Sequence, residues 1–358
     1  MTPDTQAVPD PTHSPADATE TAAWYWFAYE SGLALRRAKE IVGQHVIGAG
    51  QRLADILHEA PAVWELALGL SKAEVGLLEE RREGLHQADG RVSAWQAEGI
   101  GLVRMDQPGY PATLRVHLRP EHRPLLLSYR GDLDLLELPG ILPLAGEKID
   151  EEATTWTVAT MLDIAAEGAL PLAVARPGLY AALVRELLAR EAPLALVVAQ
   201  GLAVYRPPAA LKAAVDAGRA LLLSPFQPVW APPQARANPM LPHAATFAQA
   251  LAHALILVSP PYPSGLTPEQ PCFLRPGLPK TVGCQTYYED PAQVFMQLIE
   301  VPAAAAAANA PDIAFEEPQP RHTIEAESPL DPDDLIERLS QLGHVPEAMK
   351  ERLRRRQP

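Results

Sequence analysis

The sequence predicts a doubly wound α/β core with a mostly parallel sheet, preceded by a small all-α module and followed by a short helical segment. Three observations carry this prediction. Between about residues 99 and 301, short apolar runs alternate with helical stretches, the pattern of βαβ units whose strands are covered on both faces. From Ala22 to about Gly101 the apolar residues instead recur every three to four positions, in segments broken by glycines. A chain of 358 residues has room for one large domain and one or two small ones.

Residues 1–20 hold four prolines with Ser, Thr and Asp, and read as a disordered lead-in. The helical module covers 21–105. Trp24, Phe27 and Leu33 begin an apolar face that Leu53, Ile56, Leu57, Val63, Leu66, Ala67 and Leu70 continue. Ser71 followed by Glu74 is a capping box opening a helix that carries Val75, Leu77 and Leu78. Trp24, Tyr25, Trp26 and Tyr29 form a dense aromatic group. Such rings stack on unpaired bases in some proteins, but packing against the Leu53–Leu57 helix is the expected use here.

The core spans 106–301. Its predicted strands are Ile141–Ala145, Leu170–Val174, Leu194–Val198, Leu221–Ser224, Leu255–Val258 and a short Lys280–Val282. Its predicted helices are Glu151–Glu167, Gly178–Arg190, Pro208–Ala217 and Ala244–His253. Residues 302–328 read as a linker, with the alanine run Ala303–Ala308 and an acidic, Pro-rich stretch including Glu316, Glu317, Glu325 and Glu327. In 329–358, Leu335, Ile336, Leu339 and Leu342, then Val345, Met349 and Leu353, suggest two short helices meeting at Gly343. The end is basic, with Arg352, Arg354, Arg355 and Arg356.

The formal charge of −14 constrains function more than fold. Affinity for nucleic acid comes mainly from Lys and Arg at the phosphates, so an acidic chain has to concentrate its positive charge locally to bind one. The two cysteines, Cys272 and Cys284, stand without a neighbouring His or further Cys. A zinc site or disulfide framework is not expected, and thiols in a reducing compartment are. No basic segment followed by an apolar stretch opens the chain, and no apolar run reaches the roughly 20 residues that span a bilayer. A soluble, cytoplasmic protein without a membrane partner is expected.

The junction of the two large parts carries a family resemblance. Gly109-Tyr110-Pro111-Ala112-Thr113-Leu114, then Arg123-Pro124-Leu125-Leu126-Leu127, then Tyr129-Arg130-Gly131-Asp132 and Leu135-Leu136, resemble the entry into the core of the DprA/Smf DNA-processing family. Trp26, Gly32-Leu33 with Arg36-Arg37, Gly69-Leu70-Ser71 and Glu98-Gly99-Ile100 leading to Asp106 are similar to the family's N-terminal helices. The resemblance runs from about Trp24 to Pro291. It implies a Rossmann-like core behind a small all-α module of the SAM or helix-hairpin-helix kind. It further implies a bacterial, non-catalytic protein without a cofactor, which binds single-stranded DNA, loads a RecA-type recombinase in natural transformation or recombination, and can form a homodimer.

By that resemblance Gly146, Lys148, Arg176 and Gly201 are the candidate phosphate-binding and DNA-binding residues, at turns after core strands where backbone N–H groups and helix N-termini hold phosphate. The departures from the family pattern are substantial. Glu147 stands beside Gly146. Leu172, Ala173 and Leu179 replace the Ser, Gly and acid of a second motif, and Ala199 replaces one glycine of a third. The family's arginine-rich stretch falls near Leu241–Thr246, where both arginines are missing. Ser259-Pro260 replaces a Glu-Ala, while Ser264-Gly265 echoes a family loop. The expected result is an inherited fold with an eroded site and weakened DNA binding. The alternative is a paralogue that works as a protein-interaction or regulatory module without DNA. An enzyme is not expected. A related nucleotide-cleaving scaffold needs a glycine-rich turn followed by Glu, against Arg275-Pro276-Gly277-Leu278-Pro279 here. Ser264 lacks a His–Asp partnership, and the spacing of His243 and His253 does not suit a helical metal pair.

Overall fold

The computed structural model describes residues 15–146, 149–233, 238–259, 270–278 and 287–288. Helix α1 (Pro15–Tyr29) begins inside the stretch read as a lead-in. It is followed by α2 (Leu35–Ile41), a π turn at Val42–Ile47, α3 (Leu53–His58), α4 (Pro61–Ala67), α5 (Lys72–Glu80) and α6 (Arg82–Ala97). Trp24, Tyr25, Trp26 and Phe27 are all buried, and Tyr25 meets Trp95 of α6 edge-on with ring centroids 4.9 Å apart. These rings are core and have no face to offer a base. Glu20 is buried beside them, where its carboxylate accepts from Trp24 Nε1 at 2.7 Å and from the N–H groups of Leu53 and Ala54 at 2.8 and 2.9 Å. One helix thereby caps another that is distant in sequence, satisfying donors that the start of α3 leaves unpaired. The expected capping box is present: Ser71 Oγ accepts from the Glu74 N–H, and the Glu74 carboxylate accepts from the Ser71 N–H.

The core comprises β1 (Gly101–Arg104), α7 (Ala112–His117), β2 (Leu126–Arg130), β3 (Gly140–Ala145), α8 (Glu151–Ala166), β4 (Leu170–Val174), α9 (Leu179–Ala189), β5 (Leu194–Val197), α10 (Ala209–Asp216), β6 (Ala220–Ser224), α11 (Leu241–Leu251), β7 (Ala254–Ser259), β8 (Cys272–Leu274) and β9 (Tyr287–Tyr288). They build a nine-stranded sheet in the order β1-β2-β6-β5-β4-β3-β7-β8-β9. The pairings from β6 through β9 are parallel, whereas β2 joins β6, and β1 joins β2, antiparallel. This is the expected Rossmann-like, mostly parallel α/β core. All residues of β3, β4, β5 and β6 are buried, so these strands read in the sequence as unbroken apolar runs.

The sequence marks the central elements to within a few residues but misses the strands at both edges, β1 and β2 on one side and β8 and β9 on the other. Strand β1 falls at the end of the stretch read as helical, and β2 lies in the entry arm. That arm is pinned by buried Tyr110, whose hydroxyl donates to the Pro124 carbonyl at 3.0 Å. It turns at Gly131, whose φ is 108° and where a Cβ would stand 2.4 Å from the Ala220 carbonyl oxygen.

The thiol expected at Cys272 is replaced by a disulfide bond. The strand expected at Lys280–Val282, the Ser264-Gly265 loop, the linker 302–328, the helical segment 329–358 and Cys284 lie outside the described residues. Chain contacts define one unit over Met1–Ile313 and a second over Ala314–Pro358, the latter also outside them. Among the described residues no helix is long and apolar enough to cross a membrane.

Candidate functional site at the carboxyl edge of the sheet

From β3 the chain winds through β4 and β5 to β6 on one side, then returns to β7 on the other. The switch point therefore lies between β3 and β7, and open α/β sheets bind ligands in the crevice outside the carboxyl ends of such strands. Gly146, Arg176 and Gly201 each follow a strand on this edge. The structure thus brings the three to the same side of the sheet, while Lys148 lies outside the described residues.

Neither glycine presents a free N–H group. That of Gly146 donates to the Ser259 carbonyl at 2.8 Å, extending the β3–β7 ladder past the end of β3. That of Gly201 donates to the Trp230 carbonyl at 2.8 Å, and Ala203 donates to the Pro228 carbonyl at 2.9 Å. The loop after β5 is thus zipped to the loop after β6. Ser224 Oγ, donating to the Gln200 carbonyl at 2.8 Å, and Asn238 Nδ2, donating to the Ala199 carbonyl at 2.7 Å, fasten it further. The sequence suggests that Gly201 serves a positive φ. The structure corrects this: its φ is not positive, and the position needs glycine because a Cβ would stand 2.1 Å from the Pro228 carbonyl oxygen.

The helix behind the switch point is charged against anions as well. Asp150 caps α8, with Oδ1 accepting from the Ala153 N–H at 2.6 Å, and Glu151 and Glu152 occupy its first turn. The positive end of α8, where a phosphate would sit, already faces three carboxylates of the chain itself. Arg275, 3.8 Å from Asp150, is the described cation closest to this cluster.

The start of α9 differs. Gly178, at φ 84°, precedes a helix with no side-chain cap and no acidic residue in its first turn. Arg176 lies beside it, its guanidinium carbon 4.8 Å from the centroid of the Tyr180 ring. The ring is held by a 2.7 Å hydrogen bond from the Tyr180 hydroxyl to the Pro143 carbonyl, and burial pushes that hydroxyl's pKa up to about 12. Among the described residues no carboxylate pairs with Arg176. Cation and uncapped helix end can together take one phosphate-sized anion.

Two features of this edge are missed by sequence reasoning. Phe226 and Trp230, half-buried on the loop after β6, lie with ring centroids 5.6 Å apart. The run Ser224-Pro225-Phe226-Gln227-Pro228-Val229-Trp230, with aromatics between prolines, is the signal that could have found them. The second is an apolar groove of about 680 Å³ between α9 and α10, with Tyr180, Val184, Leu188, Tyr205 and Leu211 in its walls and Arg176 at its side. Among the described residues no group of His, Cys, Asp and Glu is arranged to hold a metal. His253 is instead tied to the sheet, with Nδ1 accepting from the Gly140 N–H at 2.9 Å.

No protein-family model matches the chain, and comparison with curated proteins gives no match. Among solved structures, DNA processing protein A (DprA) from Streptococcus pneumoniae aligns with 78% of this chain and 92% of its own, at 17% identity and a TM-score of 0.53. DNA processing protein A from Helicobacter pylori, described for its single-stranded DNA binding mode, aligns with 56% of this chain and 96% of its own, at 14% identity and a TM-score of 0.41. The likeness to the streptococcal protein shows that this chain has the DprA fold.

Proposed function

We propose that the chain is a DprA-like DNA-processing protein that binds single-stranded DNA without cleaving it and hands it to a RecA-type recombinase in transformation or recombination. The observation that carries this reading is the extent of the shared fold: 78% of this chain aligns with 92% of the streptococcal chain. The grip at the carboxyl edge is weaker than the family pattern implies. One anion seat remains there, at Arg176 and the start of α9, while Gly146, Gly201 and the acidic start of α8 hold none.

The test is fluorescence anisotropy of a labelled single-stranded oligonucleotide with the full chain at about 50 mM and about 200 mM salt, since phosphate-driven affinity is strongest at low salt. Binding that weakens steeply with salt is expected. No binding at the lower concentration removes the reading. Assembly of a RecA-type filament on protein-coated DNA, in the presence and absence of the chain, tests the loading step, and sedimentation tests a homodimer.

A second reading has a specific observation behind it. The groove between α9 and α10 is walled by apolar side chains, and an exposed apolar patch is a mark of an interaction surface. A chain that binds no oligonucleotide but copurifies with a defined protein through this groove is a protein-interaction or regulatory module on the DprA scaffold.

A further inference from the structure

The positive charge that the carboxyl edge lacks is collected elsewhere. Between the two halves of the family-like entry arm runs Arg115-Val116-His117-Leu118-Arg119-Pro120-Glu121-His122-Arg123. It forms the end of α7 and a turn of 3-10 helix, Pro120–His122. Helix α2 of the helical module lies against this turn, and Lys39 Nζ donates to the Glu121 carbonyl at 2.9 Å. Arg36 stands three residues before Lys39, so the two share a face of α2. Two segments about 80 residues apart in sequence are thereby joined into one surface, with Arg36, Lys39, Arg115, Arg119 and Arg123 against the carboxylates of Glu40 and Glu121.

Three of these cations, Lys39, Arg115 and Arg123, are held in place by backbone carbonyls and not by ion pairs. Arg115 donates to the Met105 and Gln107 carbonyls, each at 3.0 Å, and lies over the Tyr110 ring. Arg123 donates to the Leu118 carbonyl at 2.9 Å and to the Arg115 carbonyl. Among the described residues no ion pair joins Arg36, Lys39, Arg115, Arg119 or Arg123 to a carboxylate, whereas the neighbouring Arg37 is bound to both Glu40 and Glu74. Burial pulls the pKa values of Lys39 and Arg123 down, against the opposing charge of Glu121. Arg36, Arg119 and His122 are exposed, and Val116 is 51% exposed between them.

The surface lies at the opposite edge of the sheet from the candidate site. His117 Nδ1 is 3.0 Å from the Ala250 carbonyl at the end of α11, just before β7 begins.

We propose that the surface formed by Arg36, Lys39, Arg115, Arg119 and Arg123 is a phosphodiester-binding site that holds the backbone of a single-stranded nucleic acid at the amino edge of the sheet. This rests on the DNA-binding reading above and relocates its main contact. Five cations against two carboxylates, on a chain of net charge −14, are the local concentration that backbone binding needs, and Arg115 and Arg123, anchored through carbonyls, are pre-positioned for phosphates.

The test uses the full chain and a labelled oligothymidylate of about 20 nucleotides, long enough to cross the surface. The double variant Arg36→Glu/Arg119→Glu changes two exposed side chains, and circular dichroism confirms that it folds. Lys212→Glu on α10, across the sheet, makes a charge reversal of the same kind elsewhere. The expected result is that the double variant binds at least about tenfold more weakly at low salt, with a salt slope shallower by about 1 to 2, while Lys212→Glu binds like the unaltered chain. Unaltered affinity in the double variant overturns the assignment and leaves the DNA-binding reading standing. Equal weakening in Lys212→Glu also overturns it, because net charge and not this surface is then responsible. If the unaltered chain binds polyglutamate but no oligonucleotide, both the assignment and the DNA-binding reading fall, and the surface takes an acidic protein.

Discussion

The N–H of Gly201 donates to the carbonyl of Trp230 at 2.8 Å, so a turn that in a phosphate-binding relative would face a ligand here faces the next loop. That contact closes the carboxyl edge above β5 and β6. The same closeness makes position 201 intolerant of any side chain, since a Cβ would overlap the Pro228 carbonyl. Gly201→Ala is expected to lower stability by about 2–3 kcal/mol, the cost of forcing an extra carbon into packed backbone. Urea denaturation measures this, and a midpoint equal to that of the unaltered chain contradicts the closed geometry.

Glu20, nearly out of solvent, ties α1 to α3 through two hydrogen bonds donated by the Leu53 and Ala54 N–H groups, and accepts a third from Trp24 of its own helix. Glu20→Ala leaves the Trp24 indole N–H and two backbone N–H groups without their acceptor. A loss of about 2–4 kcal/mol is expected, visible as a lower thermal midpoint and earlier loss of tryptophan-monitored structure.

Arg104, 6% exposed, is held by Asp17 at 2.7 Å and Asp106 at 2.9 Å, with Thr21 Oγ1 accepting at 2.9 Å. It fastens β1 to α1. Arg104→Met removes the cation and leaves the Asp17 and Asp106 carboxylates without their shared partner, which costs about 3 kcal/mol. Arg104→Lys keeps the charge but cannot reach all three partners, so its thermal midpoint is expected between those of the Met variant and the unaltered chain.

His253 gives the fold a pH dependence of known sign. Burial, helped by the nearby His117, lowers its pKa from 6.5 to about 4. Neutral Nδ1 accepts from the Gly140 N–H, so a proton on that nitrogen would displace the bond. Between pH 6.5 and 4 the unfolded chain takes up a proton that the folded one refuses. Stability from this group is complete above about pH 6.5 and falls as the pH drops toward 4, by on the order of 2–3 kcal/mol. His253→Gln, which keeps an acceptor but does not titrate, is expected to flatten that part of the profile of thermal midpoint against pH. An unchanged slope in the variant assigns the pH dependence to other groups.

Much of the fold is legible in the sequence because it is locally encoded. Strands β3 to β7 are buried on both faces and therefore announce themselves as apolar runs, and the Ser71–Glu74 capping box is a contact across three residues. Strands β1 and β2 escape for a different reason. Gly101–Arg104 is only four residues long, and the arm at Leu126–Arg130 acquires its extended pairing from β1 on one side and β6 on the other. A period of two cannot be read reliably over so short a stretch.

The candidate site is less legible. Local pattern specifies the α/β class and the order of the central elements, while the entry arm and the candidate residues Gly146, Lys148, Arg176 and Gly201 rest on the family resemblance. What the described candidates do depends on packing between distant segments. The partners of the Gly146 and Gly201 N–H groups are Ser259 and Trp230, and Lys39 of α2 meets a turn about 80 residues on. Hydrogen-bond donors and charges act over a few ångströms, and which groups stand that close is set by how distant segments pack, not by their spacing along the chain.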